Sequence, residues 1–389
     1  MPPAPPAEPL EGSVPAGADR VLVRFQRPAF PPSEAIERSF AVARERRWFS
    51  NRGACERELA ERLSSRTGAV CLPVSSGTTG LLLAARALGT RTRGTVAVVP
   101  SFTFPATVQS LVWAGFEPVF VDVDPDAFHL DPEALAESIE EWGGRLGLVL
   151  ACSAFGTPPP PATREAWASL CSDAGVPLLV DSAAGFGAVC ADGVPIGCQG
   201  DVEVVSFHIT KPFGIGEGGG VFTRNHELAA EMAALANFSF DAHRQARSLY
   251  GLNAKLDELH AAVGLAVLDD FDDVLRRRRE ASTHLLSLLD NSLVPQRGHE
   301  LGTRQFVPVV AQDSAHRQRI MRAATGVVEL RTYYDPLHLM PAFQGLPRLG
   351  ALSVTEELGR RIISLPMAND FTNEESAVVA AVCNEAATR

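Results

Sequence analysis

The sequence predicts an α/β protein: a large domain with a mainly parallel sheet flanked by helices on both faces, then a smaller C-terminal α/β domain. Three observations lead there. Between Ala69 and Arg224, short β-rich runs alternate with helical stretches, the rhythm of strand, crossover helix and next parallel strand. From about Tyr250 that rhythm gives way to long helices and a short mixed region. The 389 residues, 46% hydrophobic and 21% charged, are enough for one large domain and a smaller one.

The elements follow in order. MPPAPPAEPLEGSVPAGAD is rich in Pro and Ala and reads as a flexible tail over 1–19. SEAIERSFAVARER has apolar residues at helical spacing with Ser33 as a candidate N-cap, and CERELAERLSSRTG is a second amphipathic helix closed by Gly68. The turn-rich WFSNRGA lies between them. The expected strands are AVCLPV, TVAVVP, EPVFVDV, LGLVLAC, PLLVDS, EVVSFH and GGVFTR, with helices such as GLLLAARAL, FPATVQSLVWAG, PEALAESIEEW and REAWASLCSDAG between them. After that come LDELHAAVGLAVLDDFDDVLRRRREASTHLLSLL, the runs QFVPVVA and VVELRTYY, and a helix after NDFTNEES. A boundary near 245 divides a large domain (20–245) from a small one (246–389).

Composition narrows the function. A net charge of -11 disfavours nucleic acid and anionic membranes, which reward clustered Lys and Arg. The one basic run, Arg276 to Arg279, follows AspAsp in an amphipathic pattern and reads as a solvated helix face. Seven cysteines form no CxxC pair, which suits reduced, buried thiols, no metal site and a cytoplasmic protein. The N-terminus has neither the basic nor the apolar region of a signal peptide, and no apolar run approaches the ~20 residues that span a bilayer.

Of 35 basic side chains only two are lysines, Lys211 and Lys255. Arginine serves wherever a positive charge is enough, but it cannot lose its proton, so a retained lysine suggests amine chemistry. Lys211 lies in SFHITKPFGIGEGGG. Its glycines match GxGxxG, yet they lead into a strand rather than a helix, which refuses a dinucleotide reading and leaves them as a wall beside a ligand. Ser206 could add a hydroxyl to a phosphate, and His208 reads as a packing residue or a secondary contact.

Three other stretches end strands, where ligands of such sheets bind. VSSGTTG opens a helix, and its free amides, with Gly77 and Thr78 admitting close approach, make a phosphate cradle, although such turns are common. PSFTFPAT offers Phe104 as a cover for one face of a flat ring. LLVDSAAGFGA delivers Asp181 to the end of a buried strand, where a carboxylate needs a cationic or hydrogen-bonding partner. Cradle, ring cover, buried acid and lysine together describe pyridoxal 5'-phosphate. That cofactor needs an amine for its Schiff base, an acid at its ring nitrogen, a face to rest on and a phosphate anchor.

From Val23 onward the chain also resembles the DegT/StrS family of pyridoxal-phosphate sugar aminotransferases, of the aspartate aminotransferase fold type I. The resemblance runs through VRFQRPAFPPSE, WFSNRGACERELAERL, VSSGTTGLLLAARALG, DVEVVSFHITKPFGIGEGG, GLNAKLDELHAAVGLAVL and YYDPLHLMPAF. It implies Lys211 as the cofactor-bearing lysine, Asp181 at the ring nitrogen, Phe104 on the ring, and Gly77, Thr78 and Ser206 at the phosphate. It also implies Asn253 at the phosphate of a neighbouring subunit, hence a homodimer with shared sites. Substrate contacts are expected from the loop Trp48 to Gly53, the wall 214 to 217 and the YYDPLH segment, with His208, Lys255, Tyr333 and His338 as candidates. The implied reaction moves an amino group from glutamate or glutamine to a keto-sugar nucleotide, in amino-sugar, antibiotic or other natural-product biosynthesis. The alternatives are another reaction of the same cofactor, such as elimination or transamination of a non-sugar ketone or cyclitol, and cofactor binding without turnover. One position departs: where the family reads D-x-A-H or D-x-A-Q, this chain has Ala184. Either water or a neighbouring group replaces the lost hydrogen bond to the cofactor's ring oxygen, or the departure signals altered chemistry.

Overall fold

The computed structural model describes residues 22–387, so the expected tail over 1–19 lies outside the described residues. Two helices come first, α1 (Ser33–Arg46) and α2 (Ala54–Thr67). Ser33 opens α1 rather than capping it: Pro32, fixed in an extended conformation at φ -55°, is the N-cap. The alternating region follows as β1 (Val70–Val74), α3 (Gly77–Gly89), β2 (Val96–Pro100), α4 (Pro105–Ala114), β3 (Glu117–Val121), α5 (Pro132–Trp142), β4 (Leu146–Cys152), α6 (Pro161–Ala174), β5 (Leu178–Asp181), β6 (Val202–Ser206), β7 (Gly219–Thr223) and α7 (His226–Leu235). All seven expected strands are present.

They form one sheet in the order β1-β7-β6-β5-β4-β2-β3, in which β7 runs antiparallel to both neighbours and every other pairing is parallel. The apolar runs read as they do because helices cover both faces, leaving few positions in contact with water. Parallel pairing brings the carboxyl ends of β2, β4, β5 and β6 to one edge, where the chain leaves the sheet for each loop.

The rest comprises α8 (Glu258–Asp269), α9 (Phe271–Leu288), β8 (Val294–Pro295), β9 (Val307–Val310), α10 (Ser314–Ala324), α11 (Ser353–Arg361), β10 (Ile362–Leu365) and α12 (Asn373–Ala387). A second, antiparallel sheet, β10-β9-β8, shares a core with α9 and α10 through Leu285, Val307, Val309, Ile320 and Ile363. Helix α8 and the start of α9 pack elsewhere, against α1 and α2, through Leu59, Leu63, Ala261, Leu265 and Phe271. We therefore propose that the small domain begins within α9 rather than near residue 245.

The arginine run is not a uniformly solvated face. Arg276 is exposed and pairs with Asp273 and Glu280, but Arg278 is buried, donating from Nε to Asn369 Oδ1 at 2.8 Å and from Nη1 to the carbonyl of Arg304 at 2.8 Å. Helical spacing turns Arg278 inward while Arg276 and Arg277 stay exposed, and its guanidinium ties α9 to the small domain. All seven cysteines are buried and unpaired. Among the described residues, no helix is long and apolar enough to cross a membrane.

Candidate active site

At the end of β1, Ser76 caps α3: its Oγ accepts from the amide of Thr79 at 3.1 Å, while Thr79 Oγ1 accepts from the amide of Ser76 at 3.1 Å. This reciprocal cap uses the Ser76 hydroxyl and leaves Gly77 and Thr78 at the positive helix terminus. Ser206, the last residue of β6, lies directly opposite. A Cβ built on Gly77 would come 3.0 Å from Ser206 Cβ, so glycine keeps a recess there that any side chain would narrow.

Asp181 ends β5 and is buried. Its Oδ2 accepts from Thr107 Oγ1 at 2.7 Å and its Oδ1 from the amide of Ala183 at 3.0 Å. Burial pushes its carboxyl above the ordinary carboxylate range, while those two donors and the charge of Lys211 pull it down. Thr107 is held in turn by Thr103 Oγ1 at 2.9 Å. Phe104 is the N-cap residue of α4 and is 56% exposed, so its ring stands free to cover a ligand.

Lys211 follows β6 by five residues on a turn in which its amide donates to the carbonyl of His208 at 2.8 Å. Its amine is held down to about 8, first by desolvation, with Asp181 and Cys152 acting in the opposite direction. Nζ donates to Gln305 Oε1 at 3.3 Å. His208 turns its Nδ1 to Thr210 Oγ1 at 2.8 Å and its Nε2 toward Glu217 at 3.7 Å, consistent with a supporting position. The glycine wall bends at Gly216, whose φ of 106° is accessible to glycine and few others, and continues into β7 as a strand.

The remaining candidates divide. Asn253 is exposed and receives Lys255 Nζ at 2.7 Å; the same amine reaches Asn237 Oδ1 at 2.8 Å. The carbonyl of Ala254 between them accepts from the amide of Ser75 at 2.8 Å, which places this segment beside the end of β1. Tyr333 is half-buried against Phe25 and Phe306. His338 sits deeper than the other substrate candidates. It is buried, with Nδ1 against Ser101 Oγ at 2.8 Å and Nε2 against Glu356 Oε1 at 3.4 Å, so both ring nitrogens are taken up inside the fold. Thr107 and Gln305, which sequence reasoning did not single out, join the site. Thr107 sits three residues after Phe104 on the next helical turn and was within reach of pattern reading; Gln305 arrives from 94 residues away.

These groups fit pyridoxal 5'-phosphate. A buried carboxyl with few donors suits a protonated ring nitrogen, a recess kept open by Gly77 at a helix terminus suits a phosphate, and a desolvated amine suits carbonyl chemistry. Fold and site together suit a pyridoxal-phosphate-dependent enzyme.

Likeness to known proteins gives the class its family. The chain belongs to the DegT/DnrJ/EryC1/StrS aminotransferase family, whose model matches residues 33–383. Protein Rv3402c of Mycobacterium tuberculosis is 30% identical over 384 residues, covering 96% of this chain and 92% of that protein. The UDP-2-acetamido-2-deoxy-3-oxo-D-glucuronate aminotransferase of Pseudomonas aeruginosa is 30% identical over 318 residues, 80% of this chain and 84% of that enzyme. Among solved structures, DesI in the presence of its TDP-sugar product superposes with a TM-score of 0.86 at 31% identity, covering 96% of this chain and 94% of that one.

Proposed function

We propose that this enzyme transfers an amino group from glutamate or glutamine to the keto group of a nucleotide-linked sugar, and that it works as a homodimer with shared sites. The observation that carries the reading is the gathering, at one sheet edge, of the desolvated Lys211 amine and the buried Asp181 carboxyl, each feeling the other's charge. A nucleotide-sugar acceptor is supported by the names of the Pseudomonas relative and of the DesI complex.

When bound, pyridoxal phosphate supplies an electrophilic carbon for amines and a ring that accepts the electron pair left behind when a proton leaves the substrate carbon. Asp181 would hold the ring nitrogen and keep it protonated. Lys211, free as an amine, removes the proton from one carbon and returns it to another. A value of about 8 leaves part of its population neutral near neutral pH, as a general base requires. Gly77, Thr78 and Ser206 hold the phosphate, and Phe104 excludes water from one ring face. We assign substrate contacts to Lys255, Tyr333, His208 and the loop Trp48 to Gly53.

Support for the dimer comes from the segment before Asn253, where Phe238, Phe240, Leu249 and Tyr250 are exposed, an apolar surface more typical of an interface than of a free face. Absorbance tests the chemistry. Glutamate added to the loaded enzyme should abolish the visible band of the lysine-bound cofactor, and a keto-sugar nucleotide should restore it with an amino-sugar product detected by mass spectrometry. A band that ignores both amino donors would overturn the reading.

A further inference from the structure

We propose that Gln305 is a positioning residue for Lys211, supplying from the small domain a neutral amide oxygen that accepts from its amine. The proposal rests on Lys211 being the lysine that carries the cofactor. Ala184 is buried and its methyl group offers no hydrogen bond to anything beside it. The segment Thr303 to Gln305 closes over that position. Thr303 Oγ1 donates to the carbonyl of Ala184 at 2.6 Å, and two residues later Gln305, 4% exposed, reaches the lysine.

The Gln305 amide is used at both ends by two consecutive residues. Its Oε1 accepts from Lys211 Nζ at 3.3 Å and its Nε2 donates to the carbonyl of Thr210 at 3.4 Å. An acceptor facing the amine and a donor facing the carbonyl fix which way the amide points. The backbone between the two contacts is held with equal care. Arg304 sits in the left-handed region at φ 59°, a conformation that persists in a non-glycine residue only where its surroundings hold it. Its Nε donates to Ser282 Oγ at 2.7 Å and its carbonyl accepts from the buried Arg278 at 2.8 Å. A side chain so tightly seated has little freedom to leave the amine. Asp181 and Cys152 are the titratable groups that face the same amine from the sheet, so Gln305 supplies a neutral contact on the remaining side.

Because the chain has only two lysines, the test is direct. In the full chain labelled at lysine and free of cofactor, magnetic resonance shows two side-chain titrations, assigned with Lys255→Arg. An acceptor favours the charged amine, so Gln305→Leu should lower the Lys211 midpoint and Gln305→Glu should raise it, each by about one pH unit, with Lys255 unmoved. Gln305→Leu should also weaken pyridoxal 5'-phosphate binding about tenfold. A Lys211 midpoint that stays put in both Gln305→Glu and Gln305→Leu overturns the assignment. The parent reading fails separately, through a lysine-bound cofactor band that persists in Lys211→Arg.

Discussion

Two buried carboxyls lie on neighbouring strands, Asp181 at the end of β5 and Glu203 inside β6. Val180 pairs with Glu203 and Asp181 with Val204, so the two carboxyls point to opposite faces of the sheet. Burial pushes both upward, Glu203 to about 7. Their surroundings differ. Glu203 accepts from Ser182 Oγ and from the amides of Gly197 and Gln199, all fixed by the loop after β5. Asp181 has two fixed donors and, beyond them, the lysine edge. Burial and a raised pKa mark function only when the partner is a group the fold leaves free to react.

The sharpest way to break this comparison is to neutralise each carboxyl. Asp181→Asn should lower kcat/KM about 10³-fold, within the range for a misplaced catalytic proton, while the cofactor-free chain stays folded with an unchanged or higher thermal midpoint. Steady-state rates and calorimetry check it, and a loss under tenfold would place Asp181 with Glu203 among structural groups.

Glu203→Gln should do the reverse, leaving kcat/KM within about twofold and reducing stability. An amide presents a donor to backbone N–H groups that need an acceptor, at about 1–3 kcal/mol. The pH dependence gives the sign. The folded pKa of about 7 lies above the ordinary value near 4.5, so the unfolded chain ionises first and native stability falls as pH rises between the two, by about 3 kcal/mol. The substitution should therefore cost most near pH 5 and little at pH 8. Denaturant midpoints of both chains across that range test it; a cost that grows with pH would mean that the ionised carboxylate is the stabilised form.

How much of this was legible in the sequence depends on range. The seven strands were readable because strands buried on both faces appear as apolar runs, and Gly77, Phe104, Asp181 and Ser206 stood out by lying at or just beyond the strands' carboxyl ends. Gln305 was not, since nothing local marks a glutamine that meets a lysine 94 residues away. The burial of His338 was equally hidden, because its partners Ser101 and Glu356 come from elsewhere in the chain. Arg278 hid in a run of four identical residues that differ only in the direction each faces.

The smallest effect concerns the other lysine, which carries the comparison from carboxyls to amines. Lys255 holds Asn237 and Asn253 and lies 5.1 Å from the Phe238 ring centroid, three interactions that a guanidinium can also make. Burial and the charge of Arg52 lower its amine's affinity for protons, but its surroundings use the charge and the donors rather than the lone pair. Lys255→Arg should thus change kcat/KM by less than about threefold, mostly through KM, since only the shape of the cation changes. A tenfold drop in kcat would show that this amine also gives up its proton during turnover, and would make both surviving lysines reagents.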